Sequence, residues 1–118
     1  MRARTSRGRR RVRVDWAESA VADLEEATLF IALDDAGAAA ALGERILART
    51  ASLSDHPLQG RLVPELLRLG IRQYRELVVG SYRIVYRLQQ DRAWVLVVVH
   101  GARDVENLLH RRLVRTRT

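Results

Sequence analysis

Cysteine is absent from the 118 residues. No disulfide can form, and no thiolate can bind a metal or attack a substrate. Lysine is absent too, so all 21 residues of that charge class are arginine. No lysine amine can therefore serve as base, acid or Schiff-base nucleophile. There are only two prolines, Pro57 and Pro64, and with Gly60 they mark one loop. The longest apolar run, Ala93 to Val99, falls far short of the roughly 20 residues of a membrane-spanning helix. The basic N-terminus is not followed by an apolar stretch of the kind a secretory signal carries. The expectation is a cytoplasmic protein with no membrane partner. Neither a cofactor nor a metal is expected.

What is present suffices for one domain. A chain of this length buries roughly two-thirds of its unfolded surface, and 47% hydrophobic residues is an ordinary globular content. The net charge of +7 is unevenly spread. Residues 1–14 hold seven arginines and no acid, residues 15–55 hold nine acids against two arginines, and residues 56–118 hold twelve arginines against five acids. An acidic middle between basic flanks suggests an anionic partner, either nucleic acid or an acidic protein segment. The plainer alternative is a solvated surface of mixed charge.

Residues 1–11 have no apolar periodicity and read as a basic, flexible arm. Val12, Val14 and Trp16 alternate with Arg11, Arg13 and Asp15, which predicts a half-buried strand. Asp15 and Glu18 have capping-box spacing, so a helix is expected from near Trp16, with Val21, Leu24, Thr28 and Ile31 inward. Asp34-Asp35 and Gly37 break the pattern. A second helix then turns Ala39, Leu42, Ile46, Thr50 and Leu53 inward, forming an antiparallel hairpin. Arg45 and Arg49 lie one turn apart on it and are expected to pair with the acidic face of the first helix. After the loop, with a short helical piece at Glu65–Arg68, three strands are predicted. These are 73–79, Tyr82–Leu88 and Ala93–His100, the last being the most hydrophobic and so interior. Gly80-Ser81 suits a type II′ hairpin turn, with glycine first. Asp104–Arg112 reads as a short helix with Val105, Leu108 and Leu109 apolar. The domain is placed at 12–113, and 114–118 is a basic tail.

In the stretch GSYRIVYRL, Tyr82, Ile84, Tyr86 and Leu88 share one face while Arg83 and Arg87 share the other. Buried unpaired charge is costly. The helices are therefore expected on the tyrosine face, with the arginines on an uncovered cationic one.

The order of elements, GSYRIVYR followed by VVVHGARD, and the upstream HPLQGRLVPEL together resemble the RelE/ParE family of bacterial toxin–antitoxin toxins over about Val12 to Leu113. The resemblance implies an α+β RelE/ParE-like fold: an N-terminal strand, a helical hairpin, a three-stranded antiparallel meander and a short C-terminal helix. It also implies a cognate antitoxin that neutralises the toxin, and operator DNA bound through that antitoxin. RelE-like members cleave mRNA on the ribosome, whereas ParE-like members poison DNA gyrase without cleavage.

Arg83 and Arg103 match the charge-stabilising arginines of the ribonuclease branch. Tyr74 and Glu76 stand where that branch has lysines, and Leu109 or Leu108 stands where it has a C-terminal tyrosine. The cations are kept and most proton-transfer groups are missing, which favours the ParE-like reading and no enzymatic activity. Under the alternative of a ribosome-dependent mRNA endoribonuclease, the catalytic candidates are Arg83, Arg103, Glu76 and His100. Glu76 would be the base and His100 an acid titrating near neutral pH. His110 falls in the last helix, and His56 is a loop residue before Pro57. The expected contact surface for target or antitoxin is Arg83, Arg87 and Arg103, with Arg75 at its edge.

Overall fold

The computed structural model describes residues 11–101 and 105–116. The expected basic arm before Arg11 lies outside them, as does Arg103.

The elements follow in the order β1 (Arg13–Trp16), α1 (Glu18–Ala32), α2 (Ala36–Ala51), a 3₁₀ turn (Ser52–Ser54), β2 (Arg61–Leu62), α3 (Pro64–Leu67), β3 (Tyr74–Val79), β4 (Tyr82–Gln89), β5 (Arg92–His100) and α4 (Val105–Thr116). The sheet order is β1-β5-β4-β3-β2. β1 pairs with β5 in parallel, and the other pairings are antiparallel. The fold is α+β, as expected. The most hydrophobic strand, β5, is interior, flanked by β1 and β4.

Alternation sets which face each side chain joins. Leu77, Val79, Ile84, Tyr86, Ala93, Val95 and Val98 meet Ala20, Leu42, Ile46 and Leu53 from the helical side. The inward residues expected for α2 are buried: Ala39, Leu42, Ile46 and Thr50, with Leu53 just beyond its end. α2 is capped by Asp35, whose carboxylate accepts the Ala38 N–H at 3.0 Å.

α1 departs from expectation. It begins at Glu18 behind an Ala17 cap that makes no side-chain bond. Asp15 stays in β1, where it pairs with Arg92 at 3.1 Å and Arg13 at 3.4 Å. Leu24 and Ile31 of the expected inner stripe do pack on the core beside Ala20, but Val21 is exposed.

The largest correction concerns the second sheet face, which is not bare. α3 and α4 cover it with Val63, Leu66, Val105, Leu109 and Leu113 against Tyr74, Val85, Val97 and Val99. The physical reason is the valine between the two arginines. Val85, with Val97 opposite it and Val99 opposite Arg83, makes this face apolar at its centre, and that area needs cover. α4 also runs to Thr116, past the end placed at Arg112.

Candidate functional site

The covered face traps Arg83. Its side chain keeps only 11% of its accessible surface. Its Nη1 and Nη2 donate to the two oxygens of Glu65 at 2.8 and 2.7 Å, a bidentate fork-to-carboxylate pair. Its Nε and Nη2 also reach Glu76 Oε1 at 2.8 and 2.7 Å. The other oxygen of Glu76 accepts from Arg61 Nε and Nη2, both at 2.7 Å. Two guanidiniums and two carboxylates thus close a network joining β2, α3, β3 and β4. The register explains it: Val78 faces Arg83 and Glu76 faces Val85, so Glu76 and Arg83 are diagonal neighbours on one face. Arg61 stands opposite Glu76.

The electrostatics follow from those contacts. The hydrogen bond from Arg83 holds the Glu65 carboxyl down at about 2 from its ordinary 4.5, against a smaller opposing push from burial. Arg83 in turn is raised above its usual value, first by Glu65 and then by Glu76. Arg83 is therefore a partly buried, neutralised cation and not part of an open cationic surface.

The other candidates separate. Arg75 pairs across the strands with Tyr86, so it lies on the helical face, opposite Arg83. It does not edge the predicted patch. Its Nη1 donates to Gly60 O at 2.7 Å. Tyr86 joins it: its hydroxyl donates to Pro57 O at 2.7 Å and accepts the Gly60 N–H at 3.0 Å. Burial pushes the Tyr86 phenol up. Arg87 does share the face of Arg83 and rests over the Tyr74 ring at 5.9 Å. His100 lies opposite Tyr82, its ring edge-on at 5.2 Å, and so belongs to the helical face. The structure therefore brings Glu76 and Arg83 together and sets His100 on the far side of the sheet. Arg49, expected to pair with α1, instead donates to Val78 O at 3.3 Å at the sheet edge.

With this geometry in view, the family model described as "ParE toxin of type II toxin-antitoxin system, parDE" matches residues 14–105. The chain belongs to the ParE toxin family. A comparison with curated proteins finds no match. Among solved structures, the chromosomal ParDE TA system from P. aeruginosa superposes with a TM-score of 0.61 at 17% identity, covering 75% of this chain and 95% of that one. The toxin–antitoxin complex RelBE2 from Mycobacterium tuberculosis gives a TM-score of 0.47 at 20% identity, covering 80% of this chain and 95% of that one.

For this ParE-type toxin, sequence reasoning missed Arg61 and Glu65 as members of the Arg83 network. Both lie within the motif HPLQGRLVPEL. A signal was available, since an arginine buried mid-strand beside valines needs carboxylates, and Glu65 and Glu76 are among the few acids after residue 56.

Proposed function

We propose that this ParE-family toxin inhibits growth in the cytoplasm by binding DNA gyrase, without cleaving nucleic acid, and that a cognate antitoxin neutralises it. The toxin–antitoxin pair, through the antitoxin, would bind its own operator. The observation that carries the non-catalytic reading is the state of the Arg83 network. An RNA-cleaving site of this type needs a free base, a cation facing the phosphate and an acid for the leaving oxygen. Glu76 holds a guanidinium on each oxygen and is 1% exposed, so it cannot accept a 2′-hydroxyl proton without giving up one of those pairs. Arg83 presents its fork to Glu65 and not to solvent. His100 stands on the opposite face. Among the described residues no base, cation and acid converge on one point.

The antitoxin partner accords with family membership and with the ParDE system whose toxin–antitoxin structure shares this fold. The deciding experiment adds the purified toxin to a gyrase supercoiling assay and, in parallel, to a translation reaction read by primer extension. Loss of supercoiling with intact mRNA is expected. Codon-specific cuts that vanish in Glu76→Gln would overturn the reading in favour of the ribonuclease alternative.

A further inference from the structure

The outer face of the sheet has a second region that α3 and α4 do not cover. Their apolar cluster reaches Val85, Val97 and Val99. Toward the β4–β5 turn the same face carries Arg87 beside Trp94 and, in the next row, Gln89, Arg92 and Arg13. A depression of about 590 Å³ opens there, lined by Arg13, Gln89, Gln90, Asp91, Arg92 and Trp94. The Arg92 guanidinium lies 4.9 Å over the Trp94 ring. Asp15 engages Arg92 and Arg13 at 3.1 and 3.4 Å and so orients both. Gln90 takes φ 58 in the two-residue turn, a backbone state that glycine adopts far more easily. A positive φ is what the first position of such a turn requires.

We infer that this end of the sheet is a binding site for single-stranded nucleic acid, distinct from the Arg83 network and independent of the target proposed above. The side chains match that ligand in kind. A guanidinium stacked on an indole offers a planar cationic surface to a base and its phosphate. The amides of Gln89 and Gln90 can donate to and accept from the Watson–Crick edges of bases, which are free only in unpaired strands. Three arginines, Arg13, Arg87 and Arg92, face two aspartates, Asp15 and Asp91, so the local balance is cationic. An acidic peptide would use the arginines but give the indole and the two amides no role.

The test uses the full chain carrying Trp16→Phe, which leaves Trp94 as the sole tryptophan. A short oligo(dT) is titrated while Trp94 emission and probe anisotropy are followed. Quenching of Trp94 is expected. Measured by anisotropy, Arg92→Ala and, separately, Trp94→Leu should each weaken binding by about tenfold or more. Arg68→Ala removes the same charge from the α3–α4 side and should leave affinity within about twofold. Gln90→Gly, which keeps the turn, should weaken binding without loss of fold and so covers the case of a poorly folded Trp94 variant. The inference fails if Arg68→Ala costs as much as Arg92→Ala, or if duplex DNA binds as tightly as the single strand. It also fails if polyglutamate competes as well as oligo(dT), which would mark the site as one for acidic peptides.

Discussion

At the level of the single residue, Arg83 decides most. An arginine in the middle of a strand could be an exposed cation or a buried one, and here two carboxylates enclose it. Removing one partner of such a group leaves the others buried and uncompensated. Arg83→Ala should therefore lower stability by about 3–5 kcal/mol, read as an earlier urea midpoint. Any loss of toxicity in that variant must be judged against its folded fraction. The pH dependence follows from Glu65. Its folded value, about 2, lies below its ordinary 4.5. A depressed carboxylate contributes stability that is fully present above about 4.5 and is lost as pH falls toward 2. The difference corresponds to about 3–4 kcal/mol as an upper bound, which solvent screening of this partly exposed group reduces. Glu65→Gln should lower the stability plateau near neutrality and flatten the decline between pH 4.5 and 2 in a thermal-melt series. An acid limb of unchanged steepness in that variant would mean that other carboxylates govern it.

At the level of the element, the loop before β2 is fastened by β3 and β4. Tyr86 holds Pro57 O and the Gly60 N–H, and Arg75 holds Gly60 O. Tyr86→Phe should cost about 1–2 kcal/mol and speed amide exchange at Gly60, since the hydroxyl leaves a buried donor unmet. Gly60→Ala should cost more: a β-carbon there would sit 2.6 Å from Glu76 O and 2.8 Å from the Tyr86 ring. Long periodic elements were legible in the sequence. The inner stripe of α2, the three meander strands and the Gly80-Ser81 turn lie close to where the apolar spacing placed them, with Gly80 at φ 58. Of the short elements, α3 lies within one residue of the helical piece expected at Glu65–Arg68, whereas β2 was not legible, because two residues carry no period. Asp15 misled for a related reason. Its local spacing suits a helix cap, but the partner that holds it, Arg92, is a neighbour only through the parallel β1–β5 pairing.

At the level of the whole molecule, the open sheet edges are closed by side chains and the apolar surface gathers elsewhere. β1 covers only Arg92–Val95 of β5. Beyond it, the Val98 N–H donates to Asp23 at 3.0 Å, and Arg112 binds that carboxylate at 2.9 Å and Leu96 O at 3.4 Å. On the other edge Arg49 occupies Val78 O where β2 stops. Such closures discourage indiscriminate strand pairing. The tip of the α1–α2 hairpin is left apolar, with Leu29, Phe30 and Leu33 at 69%, 73% and 88% exposure. Three large apolar side chains so exposed on one turn mark a contact surface. If the proposed antitoxin docks on this tip of the hairpin, these three side chains are its anchors. Phe30→Asp with Leu33→Asp should leave the melting temperature nearly unchanged, because neither residue belongs to the buried core. The same pair should weaken antitoxin binding by about 2 kcal/mol or more, roughly thirtyfold, in calorimetry with the purified cognate antitoxin. In cells, growth arrest by this variant should persist when the antitoxin is co-expressed. Rescue at the wild-type level would place the antitoxin's anchors elsewhere on the toxin.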